Sequence, residues 1–294
     1  MPTQTAHKQG RHKTLHTIIL EAGCILLFTL FMLPFAIVLL NSMRSNAEII
    51  QSAAGFPADV TRLFHNIQAM FTNATFSYFS AFRDSVIITV LSLAVISIVS
   101  SMAAWVLVRN KHRWSKLLFM LFVAAMVIPF QVIMFPLISW FKKLGNALNI
   151  QLLRSYAGMV VAYLGFGEPL SIFIFHGFIK NVPLELEEAA DIDGCSRPAI
   201  FFRIVLPLLQ PVFVTILVLN GLWIWNDYLL PLLVLGSSGG VRTIPLAVQV
   251  FIGTYVKQWD MVMTSTLLAM IPIIVLYLFM QKYIVKGMVD GAIK

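Results

Sequence analysis

Uncharged apolar runs alternate with shorter polar segments along most of the chain. Six of the runs are long enough to cross a bilayer: 18–40, 86–108, 117–141, 157–179, 206–235 and 261–280. A helix needs about 20 mainly apolar residues for that crossing. The second, third and sixth runs hold no charged residue, and Glu21 lies near the end of the first. Only Glu168 and Asp227 sit well inside a run. The fifth run exceeds one crossing, so part of it should tilt or lie in the interface.

The polar segments carry patterns of their own. Val60, Leu63, Phe64, Ile67, Met70 and Phe71 recur at helical spacing within 41–85. This predicts a short amphipathic helix, lying on a leaflet or packed as a satellite on the bundle. Asn73-Ala74-Thr75 is a formal glycosylation acceptor, a triplet that often arises by chance. Gly236-Ser237-Ser238-Gly239-Gly240 predicts a flexible tip able to reach toward a partner.

Segment 180–205 is different, with five acids: Glu185, Glu187, Glu188, Asp191 and Asp193. Pro183 suits a first helical turn, and acids there complement the helix dipole. At 100° per residue Leu186, Ala189, Ala190 and Asp193 line one face, while Glu185, Glu187, Glu188 and Asp191 take the other. Gly194 offers a permissive turn, Ser196 a cap, and 197–206 a second short helix leading into Pro207. Two readings fit: a helix–turn–helix whose small-residue face another surface approaches, or an acidic solvated connector.

Composition narrows the class. Hydrophobic residues make up 59% of the 294 and charged ones 12%, with mean hydropathy +0.85; soluble chains carry about 25% charged residues. An ordinary soluble domain and a disordered chain are excluded, and no repeat period marks a solenoid. The fold class is therefore an all-α membrane protein with six transmembrane helices. The net charge of +8 would point to nucleic acid in a soluble chain, but here basic residues that fix orientation explain it. With a cytoplasmic N-terminus, 13 of the 21 Lys and Arg fall inside, concentrated in Arg109, Lys111, Arg113 and Lys116. Both termini are thus expected in the cytoplasm. Residues 1–17 read as a basic tail, 18–285 as the six-span transmembrane domain with a retained first anchor, and 286–294 as a second tail. Cys24 and Cys195 support neither a disulfide framework nor a Cys metal site, and His12 with His16 reads as a solvated arm rather than a metal site.

Glu188-Ala189-Ala190, three residues, Gly194, nine residues, then Ile204-Val205-Leu206-Pro207 resembles the EAA motif of ABC importer permeases. The string from Pro183 to Gly194 resembles the carbohydrate, maltose-type branch, as do Trp225-Asn226-Asp227-Tyr228 with Pro231-Leu232 and the tail Lys286-Gly287-Met288-Val289-Asp290-Gly291-Ala292. The resemblance runs from the first span to the end. It implies the type I ABC importer permease fold in a prokaryotic cell membrane, and import of a carbohydrate, an oligosaccharide above all. It also implies a second permease subunit, two ATPase subunits and an extracytoplasmic solute-binding protein as partners. Within the 180–205 coupling loop, Glu185, Glu188, Ala189, Ala190, Asp193 and Gly194 would form the docking element for the ATPase. Ile204, Leu206 and Pro207 would hold the second helix against span five.

The chain has no Gly-Lys dipeptide, hence no Walker-type P-loop, and no nucleophile or metalloprotease motif. A non-catalytic subunit without a cofactor of its own is expected, with ATP bound by partner subunits. A carboxylate at mid-bilayer costs about 2.5–3.5 kcal/mol on insertion scales and should face protein or water. Glu168, flanked by Gly165, Gly167 and Pro169 in a loosened helix, either lines the passage and binds sugar hydroxyls, or is paired or protonated within the assembly. Asp227, beside Trp225 and Asn226, marks a bend or gate or a ligand contact. Trp223 and Trp225 could stack on sugars or anchor at the interface. The competing function is a proton- or ion-coupled secondary transporter working through Glu168 and Asp227.

Overall fold

The computed structural model describes residues 4–73, 76–237, 239–252 and 257–292, with side chains in 17–275, 277–279 and 281 of these. Ala74 and Thr75 of the acceptor triplet, Ser238, and the side chains of His12, His16 and the 286–292 tail motif therefore lie outside the described residues. Among those described, the elements are helices, apart from a lone bridge between Ile252 and Lys257. In chain order they are α1 (Gln4–Ser42), α2 (Asn46–Gln51), α3 (Arg62–Thr72), α4 (Tyr78–Arg109), α5 (Arg113–Ala125), α6 (Phe130–Leu148) and α7 (Tyr156–Ile179). Then come α8 (Glu185–Ile192), α9 (Arg197–Ile200), a π-helical turn (Phe201–Val205), α10 (Leu206–Leu208), α11 (Gln210–Asn226), α12 (Leu229–Leu235), α13 (Ile244–Val248) and α14 (Trp259–Ala292).

Thr17–Ser42 of α1, α4, α7 and Trp259–Phe279 of α14 can each cross a bilayer unaided. Two bent pairs raise the count to six if each is one crossing: α5 with α6 at 108°, and Arg197–Leu208 with α11 at 76°. Two of the expected spans are bent. The run 117–141 is not one straight helix, because the chain leaves the helix between Ala125 and Phe130. Pro129 lacks the N–H that would continue it and pushes Ile128 out of the α region. The run 206–235 bends at Leu209, where Pro211 cannot donate to the carbonyl of Pro207, and breaks again at Asp227 and Tyr228. Its surplus length is a break rather than a tilt. At the ends, helix runs beyond the expected spans: α1 begins at Gln4 inside the basic tail, α4 begins at Tyr78, and α14 continues to Ala292.

The chain divides into two compact units. The first holds 1–73 and 251–268. After α1 it turns about Arg44, which is 5% exposed. The Arg44 guanidinium donates to Asn41 Oδ1 (2.8 Å), Ser52 O (2.6 Å) and Glu48 O (2.6 Å). A capping box starts α2: Ser45 Oγ accepts from the Glu48 N–H, and Glu48 Oε2 accepts from the Ser45 N–H (2.7 Å). The Ser45 N–H and the Ser45 hydroxyl, which also donates to Glu48 Oε2 (2.7 Å), hold the Glu48 carboxyl below its ordinary range. A helix does form at 62–72, but its buried positions are Asn66 and Met70, while Val60 and Phe64 are exposed. Asn66 turns inward because its amide caps the backbone, donating to Ser42 O (2.9 Å) and Arg44 O (3.1 Å).

The second unit holds 74–250 and 269–294, built on α4 lying along α7. Ser92, Ser97, Ser100, Ser101 and Ala104 are buried on α4, and small residues let two membrane helices approach closely. Gly167 shows how closely: a Cβ there would lie 2.8 Å from Ile96 Cδ1 and 2.9 Å from Asn220 Oδ1. Two apolar clusters follow. One joins Ile88 and Ile96 to Tyr163, Ile224, Leu235 and Leu246. The other joins Ala104, Phe175 and Ile179 to Ala190, Phe201 and Val212.

Asp84, 1% exposed, binds the first cluster's end together. Its carboxylate accepts from Arg83 Nη2 (3.0 Å), Tyr156 OH (2.7 Å) and the Arg242 N–H (3.1 Å). Ser85 Oγ accepts from the Ile244 N–H at 2.8 Å. The glycine-rich segment before Arg242 is therefore pinned at its far end rather than free.

Candidate functional site

The acidic segment folds as a helix, a turn and a second helix, the first of the two readings above. It starts at Glu185, two residues after Pro183, with three acids in its first turn. It stops at a Schellman motif: the Cys195 N–H donates to Ala190 O (2.9 Å) and the Gly194 N–H to Asp191 O (3.1 Å). Gly194 has φ +81°, a conformation that favours glycine, and a Cβ there would meet nothing within 4 Å. Ser196 stands at the N-cap of α9 but makes no side-chain cap bond.

The faces of α8 differ from those expected. The buried residues are Glu187 (3% exposed) and Ala190 (6%), while Leu186, Ala189 and Asp193 face outward with Glu185, Glu188 and Asp191. The cause lies 78 residues upstream. Arg109, at the end of α4, pairs with Glu187 Oε1 through Nη2 (2.8 Å) and Nε (2.9 Å), and its Nη2 also donates to Val182 O (2.9 Å). Trp105 Nε1 donates to the other carboxylate oxygen at 3.0 Å, and the Trp105 ring packs on Phe201 with centroids 5.4 Å apart. A buried carboxylate is stable when its oxygens are paired this way. One acidic side chain thus clamps α8 onto α4 and the π turn.

Turned outward beside Ala189 are Leu186, 45% exposed, and Ile192, 87% exposed. Behind them Glu187, Glu188, Asp191, Arg109 and Arg197 line a cleft of about 660 Å³. The Arg197–Asp191 pair across it, 3.7 Å and largely exposed, adds little energy. The second helix is held by Ile200, Phe201, Val205 and Leu209, all buried. Of the expected holding residues, Ile204 and Leu206 pack partly against that cluster and Pro207 is exposed. The π turn rotates the register, so the buried face falls beside the motif residues.

The residues expected along the passage sit on α7 (Glu168) and at the end of α11 (Trp225, Asn226 and Asp227). α7 continues as helix through Gly165, Gly167 and Pro169 rather than loosening. Glu168 is half-buried there and lines a cleft of about 640 Å³ with Met126, Phe130, Leu137, Trp140 and Phe141. Asp227 sits at the break after α11, where Oδ1 accepts from the Leu229 N–H (3.0 Å) at the start of α12 and Oδ2 accepts from Tyr163 OH (3.2 Å). Trp225 Nε1 donates to Ala269 O (3.2 Å), its ring edge-on to Phe82 at 5.9 Å. Asn226 is exposed and donates to Leu222 O (2.8 Å) in its own helix.

Residues 96–290, which include the whole acidic loop, match the family described as binding-protein-dependent transport system inner membrane component. The chain is 40% identical to the probable starch degradation products transport system permease protein AmyC of Thermoanaerobacterium thermosulfurigenes, over 92% of this chain and 94% of that one. It is 33% identical to the melibiose/raffinose/stachyose import permease protein MelC of Bacillus subtilis, over 89% and 91%. It also superposes on a chain of a crystal structure of a bacterial ABC transporter involved in the import of the acidic polysaccharide alginate. That match has TM-score 0.76 and 20% identity, covering 93% of this chain and 98% of that one.

Proposed function

The chain belongs to the family of binding-protein-dependent transport system inner membrane components, and on that premise we propose that it is the permease subunit of an ATP-driven oligosaccharide importer. Its fold is that of an ABC importer permease. The subunit is non-catalytic: its part is to form half of a passage and to convert the closure of other subunits into movement of its spans. The partners in this reading are a second permease, two ATPase subunits that bind the ATP, and an extracytoplasmic solute-binding protein. The membrane is the prokaryotic cell membrane, with both termini and α8 on the cytoplasmic side, where Arg109 to Lys116 and the other basic loops favour them.

The observation that carries this reading is α8. It presents Leu186, Ala189 and Ile192 outward while Glu187 ties its other face to α4. A pull on the exposed face is passed into the bundle through charged bonds rather than lost in a slack loop. Oligosaccharide as cargo rests on the 40% and 33% identical relatives, both named for transport of such sugars.

The test is copurification of the chain with its ATPase subunits, for the native sequence and for Ile192→Asp. Native chain should carry the ATPase, and Ile192→Asp should reach the membrane at normal levels without it. Undiminished ATPase recovery with Ile192→Asp would remove α8 from the contact.

A further inference from the structure

On the other side of Asn110 from the acidic cleft lies a second one, of about 730 Å³. Its rim carries Lys111, Arg113 and Lys116 from the turn into α5, and Lys180 from the end of α7; no carboxylate lines it. Its wall is apolar and aromatic. Phe119 stacks on His176 with centroids 3.7 Å apart and 17° between planes, and on Phe173 at 6.3 Å and 12°. Beside it α5 has no buried residue, and Trp114 (65%), Leu118 (48%) and Leu121 (57%) are exposed along its length.

We propose that this cleft binds an anionic phospholipid of the surrounding bilayer, with the phosphate among Lys111, Arg113, Lys116 and Lys180 and an acyl chain along Phe119, Met120 and Val123. Three observations converge on that occupant. The four cations come from two segments 64 residues or more apart in sequence and face one cavity with no counter-acid, so the anion must come from outside the cleft. The apolar wall beneath the cationic rim matches an amphiphile rather than a free ion, and its volume lies within the range of small-molecule sites. The exposed face of α5 with Trp114 at its start has the form of an element seated at headgroup depth. Basic clefts between helices at the membrane surface take anionic headgroups by this same electrostatics. The site is independent of coupling to an ATPase, since none of its lining residues belongs to α8.

The experiment uses the full chain in phosphatidylcholine vesicles with a spin-labelled phosphatidylglycerol probe. Saturable, selective immobilisation of the probe is expected. Lys111→Gln with Lys116→Gln should weaken it about 25-fold, at about fivefold per charge. Ser115→Trp, which fills the cleft and leaves the net charge unchanged, should abolish saturation. Inorganic phosphate in excess should leave the probe bound. Equal immobilisation of phosphatidylcholine would overturn the proposal. So would saturable binding that survives Ser115→Trp, which would mean diffuse attraction to a basic loop. Displacement by inorganic phosphate would also overturn it, by making a free anion the ligand.

Discussion

Replacing Glu187 with Gln removes one charge from the clamp between α8 and α4 and leaves the helix propensity of the site almost unchanged. The pair stands at 2.8 Å, with side chains 3% and 18% exposed for Glu187 and Arg109. At an effective dielectric of about 20 the attraction is about 6 kcal/mol, and the desolvation of two ions offsets part of it. Removing one partner of a buried pair costs about 3–5 kcal/mol. Here the lower end applies, because Arg109 keeps the Val182 carbonyl and some contact with water. A loss of about 3 kcal/mol corresponds to about a 150-fold increase in local opening. Hydrogen exchange of the backbone amides from Glu187 to Cys195 reads that opening directly, with α7 amides as the internal control. Protection in α8 should fall by about two orders of magnitude while the α7 core stays unchanged. The double variant Glu187→Leu with Arg109→Met should recover much of it, since an apolar pair can replace a buried ionic one. If Glu187→Gln exchanges like the native chain, the clamp contributes nothing and the transmission argument fails.

Gly194→Val should reach the membrane normally but transport poorly. A side chain at φ +81° costs about 1–2 kcal/mol or more, and ATP-driven uptake at the native rate would contradict that. Asp84→Ala should leave the part-buried Tyr156 OH and Arg242 N–H without their acceptor, at about 1 kcal/mol each, the low end for an unmade bond because water can reach them. Faster protease cleavage within 236–243 is the expected sign, and native resistance the contrary one. The Glu48 carboxyl is depressed in the folded chain by its Ser45 donors. Its contribution is therefore complete above the unfolded pKa and is lost as pH falls through the folded one. Amide protection in α2, corrected for intrinsic rate, should drop on acidification in the native chain and stay flat in Glu48→Gln.

The sequence carries local signals well and distant ones poorly. The start of α8 near Pro183, its acidic first turn and its stop at Gly194 depend on neighbours within a turn or two, and the structure has all three. Which face of α8 is buried depends on Arg109 and Trp105, from another helix, so the wheel separates Glu187 from Ala190, while the structure buries the two together. The broken third span shows a different limit. Hydropathy sums apolar residues without sensing chain direction, and Pro129 redirects the chain by 108° inside a run that never becomes polar. For Asp227, a charge in an apolar run, the sequence leaves a bend or gate and a ligand contact both open. In the structure its carboxylate accepts from the Leu229 N–H at the start of α12. The cationic cleft is not legible in the sequence, because Lys180 and Lys116 come together only when α5 folds back against α7.

The account rests on this chain moving sugar only when another subunit spends ATP. The direct test is uptake of a labelled oligosaccharide into proteoliposomes, with the binding protein outside and ATP enclosed. Uptake should require the ATPase subunits, the second permease and ATP together, and should collapse in Ile192→Asp. Accumulation by this chain alone, driven by a proton gradient and lost on Glu168→Gln, would contradict it.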